Sequence, residues 1–296
     1  MTLPINAFGI CILGRKASYS SSMRRLLKHS PSFEQIKAMK ENGVDGLEIR
    51  NVDSVNIAEI SDSKAKEVRK KLDNACLRVW TIGSPIGKID IEKDDFALHT
   101  EKFKRTLELA DILGAENIRL FSFFTPAENR DSYKDKVIER LGTFFEIAKG
   151  SGITLCHENE KGIYGDIPER CLEIHKALPE MKAIFDPANY VQCGVDTLQA
   201  WELLKGYVKY LHIKDALADG SVVPAGKGIG NVEFILGDYI RNGGDSVTVE
   251  PHLTVFDGLK GLEKEGDASV VGEVYKYATA EEAFSAAVSA LREILI

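Results

Sequence analysis

Short apolar runs without a helical period recur along the chain and end at glycine, proline or polar residues, a pattern typical of buried β-strands. Segments with apolar residues at helical spacing separate them. The predicted strands are Phe8–Leu13, Gly46–Ile49, Leu77–Ile82, Asn117–Ser122, Ile153–Glu160, Ala183–Asp186, Tyr210–Asp215 and Ser246–Glu250.

Three predicted helices begin at capping boxes, in which a side chain at the first cap position pairs with Glu or Gln three residues later. The boxes are Ser32 with Gln35, Asp166 with Glu169, and Thr279 with Glu282. The other predicted helices are 62–74, 96–113, 133–149, 197–205 and 232–242. Eight strand–helix units predict an α/β fold, the closed (β/α)₈ TIM barrel, and no linker divides residues 1–296 into separate domains.

An open doubly wound sheet is the alternative fold. It normally carries a phosphate-binding Gly-x-Gly-x-x-Gly directly after the first strand, and Gly9 to Gly14 lacks that pattern. The barrel is therefore the favoured architecture.

The net charge of -7 argues against a nucleic-acid partner, since the only locally basic stretch is Met23–His29, which we interpret as a solvated face. Five widely spaced cysteines without a Cys-x-x-Cys pair suit reduced thiols in the cytoplasm. No apolar run approaches the length of a membrane span. We expect a soluble, cytoplasmic protein with no membrane partner, and homo-oligomerisation stays open.

Four predicted strands end in metal-compatible side chains, where barrel enzymes carry their active sites. Glu158, Asp186, His212 and Glu250 stand at the ends of strands five to eight. Because residues alternate between the two faces of a strand, an inward Glu158 places Cys156 inward and His157 outward. The same alternation makes Tyr210, His212 and Lys214 inward on strand seven.

Three clustered carboxylates repel one another, and a divalent cation is the natural way to stabilise them. Oxygen-rich ligands with one imidazole suit Mn²⁺, Mg²⁺ or Co²⁺ better than a structural zinc. Each residue alone also has a structural explanation. His212 could be a hydrogen-bonded core histidine, Asp186 could cap a turn, and either glutamate could form an ion pair with Lys214. The set of four favours the metal site.

The pattern resembles the sugar phosphate isomerase/epimerase family with the xylose isomerase-like TIM barrel, in particular ketose 3-epimerases. The most specific segments are Glu158-Asn159, Phe185–Asn189, His212–Asp215 and Val249–His252. The resemblance implies that one divalent metal ion is bound by Glu158, Asp186, His212 and Glu250. Mn²⁺ is the favoured ion, with Mg²⁺, Co²⁺ or Zn²⁺ as alternatives. It also implies that Glu158 and Glu250 are the catalytic acid and base.

This ligand set predicts an isomerase or epimerase of a sugar, sugar phosphate or related polyol, in which the cation stabilises an enediolate. There are two alternatives: a metal-dependent dehydratase of an inosose-like keto-polyol, and an inactive carbohydrate-binding barrel. The net negative charge of the protein disfavours the repair-endonuclease branch of the family. Glu48, Asn189, Lys214 and His252 are the predicted substrate-binding groups.

Two further features have less specific interpretations. Trp80, Phe123 and Phe124 could form an apolar wall for a sugar face, with core packing as the alternative. The Gly226–Gly230 loop could bind phosphate, although a lid or a plain turn is favoured over that interpretation.

Overall fold

The computed structural model describes residues 5–9, 33–250, 252–253, 275 and 277–295. Within these ranges, side chains are described from Gln35 onwards. Three sequence predictions lie outside the described residues: the Ile10–Leu13 part of the first strand, the basic stretch Met23–His29, and Ser32 of the first capping box.

Among the described residues, eight parallel strands form a closed barrel in which each strand pairs with the next along the chain and the last pairs with the first. The barrel strands are β1 Ile5–Gly9, β2 Gly46–Ile49, β3 Arg78–Ile82, β4 Asn117–Leu120, β5 Thr154–Glu158, β6 Lys182–Phe185, β7 Val208–Ile213 and β8 Val247–Val249. The predicted (β/α)₈ TIM barrel is confirmed.

Helices follow the strands as the periodicity predicts. In the described ranges they are α1 Phe33–Glu41, α2 Asp62–Asn74, α3 Phe96–Leu113, α4 Lys134–Ala148, α5 Pro168–Ala177, α6 Pro187–Gln192, α7 Thr197–Leu204, α8 Val232–Arg241 and α9 Ala280–Leu295. None of the described helices is long and apolar enough to span a membrane. The short helix α6 has no counterpart in the sequence prediction.

The alternation of side chains along the strands separates two cores. Cys156, Ile184 and Tyr210 are fully or almost fully buried and pack together inside the barrel. The large apolar cluster between strands and helices contains their outward neighbours, such as Leu155 and Leu211. Cys156 and Tyr210 therefore face inward, as strand parity predicts.

Two predicted element starts are wrong. The first strand begins at Ile5 and its described part ends at Gly9, because Asn6–Gly9 pairs in register with Gly46–Ile49 of β2. The N-cap of α5 is Ile167, without a side-chain cap, because Arg130 and Arg170 both bind the Asp166 carboxylate. The Thr279 box is confirmed, since Glu282 N donates to Thr279 Oγ1 at 3.1 Å.

The glycine-rich loop after β7 is tied down by the chain itself. The Asp215 carboxylate accepts hydrogen bonds from the backbone N–H groups of Gly226, Gly228 and Gly230 at 2.8–3.1 Å. A Cβ atom on Gly228 would lie 2.3 Å from the Ala216 carbonyl oxygen, so only glycine fits there. These N–H groups already donate to a carboxylate, which removes the basis for phosphate binding by the loop.

Two buried histidines predict a loss of stability on acidification. Burial lowers the pKa of His99 and of His175 to about 4 each, and His99 Nε2 accepts a hydrogen bond from Gly87 N at 2.8 Å. In the unfolded chain each histidine is protonated near pH 6.5, whereas in the folded chain it stays neutral down to about pH 4. Each histidine should therefore lower the free energy of unfolding by about 3 kcal/mol as the pH falls from 6.5 to 4. Urea unfolding across this range measures the loss.

The variant His99→Gln keeps an acceptor for Gly87 N and removes one titrating group. We expect its stability to fall less steeply with decreasing pH than that of the parent protein. Equal slopes for the two proteins would contradict the assignment of His99.

The loop anchor can be tested separately. Asp215→Asn should lower the free energy of unfolding by about 2 to 4 kcal/mol, because hydrogen bonds from backbone N–H groups to an ionised carboxylate are lost. Asp219→Asn is the control, since Asp219 is exposed and accepts from Ser221 N in the neighbouring turn. Equal losses in the two variants would argue against the anchor.

Candidate metal centre

Four strand ends bring their side chains to one point at the carboxyl end of the barrel. Glu158 ends β5, Asp186 follows β6, His212 lies in β7, and Glu250 follows β8. One ligand atom from each of these buried residues lies within 4.8 Å of all the others. The four residues that the strand ends predict therefore form one cluster.

His212 stands at the centre of this cluster. Its Nδ1 atom lies 3.0 Å from Glu158 Oε1 and 3.2 Å from Glu250 Oε1, with Asp186 Oδ2 at 4.0 Å. Its Nε2 atom lies 2.9 Å from Glu48 Oε2. Nδ1 therefore faces the three acids, and Glu48 fixes the orientation of the ring from the other side.

A column of side chains supports Glu48 from inside the barrel. The Tyr210 hydroxyl donates to Glu48 Oε2 at 3.0 Å, and the Trp80 ring packs edge-on against Tyr210 with centroids 6.2 Å apart. Arg78 and Lys209 lie over the Trp80 ring at 4.7 Å and 5.5 Å from its centroid. Trp80 thus packs toward the amino-terminal ends of the strands, and not as a wall beside the cluster.

Asp186 has two roles. Its Oδ1 atom accepts from Asn189 N at 3.0 Å and caps α6, which leaves Oδ2 for the cluster. The Asn159 side chain holds this turn, since its amide donates to Asp186 O and its carbonyl accepts from Asp186 N. Asn189 Nδ2 lies 3.4 Å from Glu158 Oε1.

Arg119 is an important residue that the sequence interpretation missed. It lies in the middle of β4 and is buried, with Nη1 3.1 Å from Glu158 Oε2, 3.6 Å from Glu48 Oε1 and 4.0 Å from Glu250 Oε1. The alternation of residues along β4 is the signal that finds it, once the neighbouring strands show which face of β4 is inward. Phe121 shares that parity and packs against the guanidinium at 5.0 Å.

Lys214 neutralises the other side of the cluster. Its Nζ atom lies 2.9 Å from Asp186 Oδ2 and 2.5 Å from Glu250 Oε2. His252 Nδ1 lies 3.7 Å from Glu250 Oε2. Of the four predicted substrate groups, Asn189, Lys214 and His252 border the cluster, whereas Glu48 lies behind His212.

The surrounding cations control the ionisation of the acids. Burial disfavours the Glu158 carboxylate, yet His212 and Arg119 hold its pKa at about 2. Burial also opposes Glu250, but Lys214 and His212 hold the pKa of that carboxyl well below its usual range. Burial raises the pKa of Asp186 to about 7, and Glu250 and Glu158 add to the rise. Two glutamates are thus kept ionised in a dry site.

Two other residues near Glu158 have structural partners. His157 points outward, as predicted, and its Nε2 atom lies 2.9 Å from Ser122 Oγ. Glu160 forms an ion pair of 3.0 Å with Lys88 near the rim. Phe123 packs against Phe96 and Phe144 in the helix layer, not beside the cluster.

The donor set fits a divalent cation. Three carboxylates and one imidazole nitrogen converge, with one ligand atom of each within 4.8 Å of all the others. Carboxylate oxygens with an imidazole suit Mn²⁺ and related ions. A buried cluster of this kind could therefore hold a metal ion.

Residues 36–242 match the model of the xylose isomerase-like TIM barrel family, which covers more than half of the chain. The chain belongs to this family. The resemblance inferred from the strand ends is thereby confirmed. No curated protein sequence matches significantly.

Solved structures share the fold at low identity. A probable 3-DHS dehydratase from Bacillus anthracis is 16% identical with a TM-score of 0.66, and the match covers 98% of this chain and 99% of that one. The IOLI protein, solved with a zinc atom, is 15% identical with a TM-score of 0.70 and coverages of 99% and 98%. D-psicose 3-epimerase, solved in the presence of D-fructose, is 18% identical with a TM-score of 0.66 and coverages of 98% and 98%.

Metal binding at this cluster should stabilise the folded chain. At a free Mn²⁺ concentration of a hundred times the dissociation constant, we expect a gain of about 2.7 kcal/mol in unfolding free energy. The measurement is thermal unfolding across a Mn²⁺ titration. Asp186→Asn should weaken the effect while retaining the cap on α6, and the exposed Asp135→Asn serves as control. Absence of stabilisation by Mn²⁺, Mg²⁺, Co²⁺ and Zn²⁺ would contradict the metal site.

Proposed function

We propose that this protein is a divalent-metal-dependent isomerase or epimerase that acts on a sugar, a sugar phosphate or a related polyol. The observation that carries the proposal is the pair Glu158 and Glu250. Both reach the same His212 nitrogen, at 3.0 Å and 3.2 Å, and each has its own buried cation. Two acids held ionised at one point suit proton removal and proton return.

Glu158, Asp186, Glu250 and His212 Nδ1 would hold the metal ion. A cation there would withdraw electron density from a substrate carbonyl and so acidify the neighbouring C–H bond. We propose Mn²⁺, and the zinc atom in the IOLI protein keeps Zn²⁺ as an alternative. Glu48 accepts a hydrogen bond from the Nε2–H group of His212 in this scheme. The proton therefore stays on Nε2, and Nδ1 remains available as a metal ligand.

The two glutamates divide the proton transfer. One glutamate removes the proton from the substrate carbon. The other takes up a proton from solvent and delivers it to the opposite face, which inverts that carbon, and the first glutamate then releases its proton to solvent. Return to the adjacent carbon would instead interconvert an aldose and a ketose. Lys214, with its ammonium 2.5 Å from Glu250 Oε2, keeps this carboxylate ionised between turnovers.

We propose Lys214, Asn189 and His252 as the polar groups that contact substrate hydroxyls, because they border the acids. Glu48 is buried and bound to Tyr210 and His212, which favours a positioning role for it over substrate contact. A cytoplasmic location fits the described cysteines, Cys76, Cys156, Cys171 and Cys193, all of which are free thiols.

A metal-dependent dehydratase is the second candidate. Its supporting observation is Lys214, a buried ammonium beside Glu250 that could protonate a departing β-hydroxyl. The likeness to a probable 3-DHS dehydratase agrees with this candidate. Product analysis separates the two functions, since only a dehydratase loses water from the substrate. An inactive carbohydrate-binding barrel would not need two ionised glutamates.

Substitution of the two glutamates tests the proposal. Glu158→Gln and Glu250→Gln should each reduce solvent deuterium incorporation into ketoses by about 10²- to 10⁴-fold, because each removes one acid/base group. The assay uses Mn²⁺-loaded protein, a panel of ketoses and NMR detection of C–H exchange. Glu146→Gln, on the exposed face of α4, is the matched control. Full exchange in the double Gln variant would refute the mechanism.

A further inference from the structure

A second ion pair lies beside the acid cluster, further toward the rim of the barrel. Lys88 Nζ, from the loop after β3, lies 3.0 Å from Glu160 Oε2, and Glu160 comes two positions after Glu158 at the end of β5. Deeper in the barrel, Arg119 Nη1 lies 3.1 Å from Glu158 Oε2. The Phe121 ring contacts both cations, with its centroid 4.4 Å from Lys88 Nζ and 5.0 Å from Arg119 Cζ. A cation therefore pairs with an acid in two successive layers.

The two layers differ in their access to solvent. The side chains of Arg119 and Glu158 are 4% and 3% exposed, whereas those of Lys88 and Glu160 are 14% and 25% exposed. A ligand whose reacting end lies at Glu158 would therefore meet the outer pair, Lys88 and Glu160, with the end that is nearer to solvent.

The charge of Glu160 also acts on the cluster itself. Burial disfavours the Lys214 ammonium, but Asp186, Glu250, Glu158 and Glu160 together raise the pKa of this side chain. The carboxylate of Glu160 is thus within electrostatic reach of the ammonium that Asp186 and Glu250 bind.

The backbone fixes the position from which Lys88 extends. The preceding residue, Gly87, has a φ of +88°, and a Cβ atom on it would overlap the Phe121 carbonyl oxygen, so only glycine fits there. Gly87 N donates to His99 Nε2 at 2.8 Å, and Gly87 O accepts from Phe123 N at 2.9 Å. The backbone of the outer pair is therefore preorganised, which lowers the entropy cost of binding a ligand there.

The outer pair is balanced in charge and has hydrogen-bonding capacity left. An ammonium carries three N–H donors, and among the described residues only Glu160 accepts one from Lys88. The Glu160 carboxylate offers about four acceptor positions, of which the described residues use two, through Lys88 Nζ and Lys161 N. A hydroxyl group both donates and accepts, so it matches this pair, whereas Glu160 would repel a phosphate group.

We propose that Lys88 and Glu160 bind hydroxyl groups at the outer end of the substrate and so select a neutral polyol chain over a phosphorylated one. The inference rests on the proposed function, since it places the reacting end of the substrate at Glu158 and Glu250. Lys88 and Glu160 are specificity-determining residues in this scheme, because they contact the end that does not react. A purely structural ion pair is the alternative, and it would leave the preference among ligands unchanged.

Three inert polyols test the selection. D-Glucitol has six carbons, glycerol has three, and D-glucitol 6-phosphate carries a phosphate at one end. Calorimetric titration of the protein in the presence of Mn²⁺ should show D-glucitol binding about 10-fold more tightly than glycerol, the value of one hydrogen bond to a charged group. D-Glucitol 6-phosphate should bind more weakly than D-glucitol. Absence of D-glucitol binding, or tighter binding of the phosphate, would overturn the inference.

Two variants shift the preference in different ways. Lys88→Met should weaken D-glucitol binding by about 10-fold and change glycerol binding little, because the charged donor to the outer hydroxyls is lost. The matched control on the same loop is Lys93→Met, since Lys93 is 80% exposed and pairs with Asp90, and it should leave the preference unchanged.

Glu160→Gln removes the counter-charge of Lys88, so D-glucitol 6-phosphate should bind about 10-fold more tightly to this variant than to the parent protein. A structural ion pair does not predict such a gain, and the gain decides if Lys88→Met does not fold. Unchanged ratios among the three polyols in Glu160→Gln and in folded Lys88→Met would overturn the inference.

The outcome for the outer pair is independent of the outcome for the function. Proton exchange from ketoses, with the D-glucitol preference unchanged in Lys88→Met, would reject the role of the outer pair and leave the isomerase proposal intact. The expected shifts in both variants, without exchange from any ketose, would reject the isomerase proposal alone.

Discussion

Burial of four carboxylates in one barrel mouth is the constraint on which the rest of this site depends. Like charges at this distance in a dry environment cannot all ionise unless each meets a cation. Arg119 pairs with Glu158 and Glu48, Lys214 pairs with Asp186 and Glu250, and His212 lies between the acids. Removal of one partner from such a buried pair typically destabilises a protein by about 3 to 5 kcal/mol.

Strand β7 and the residue after it supply three of the side chains that support or neutralise the buried acids. Tyr210, His212 and Lys214 occupy successive inward positions, so a single strand supplies the support of Glu48, the imidazole and the ammonium. A one-residue shift of this strand in the sheet would turn all three side chains toward the helices. Its register against β8, with Thr248 opposite His212, therefore determines the site as well as the fold.

The architecture and the acid cluster could be predicted because both follow from periodicity. Residues 46–49, 62–74 and 96–113 have the predicted bounds, and the four predicted strand ends converge on one point. Arg119 was missed because a single charged residue within a short apolar strand does not reveal its inward direction until the neighbouring strands are placed. Asp166 was misassigned as a cap because its partner Arg130 is 36 residues away in sequence. Local patterns do not contain such long-range pairings.

The column from Trp80 through Tyr210 and Glu48 to His212 links the two ends of the barrel. Barrel enzymes are often treated as a stable base with an interchangeable catalytic face. In this chain the two faces are linked by direct contacts, since Trp80 at the base of the column supports Tyr210 and Glu48, which orient the His212 imidazole at its top. Redesign or random mutagenesis aimed at the supposedly inert base would therefore alter the catalytic face, and its effects would be mistaken for damage at the mouth.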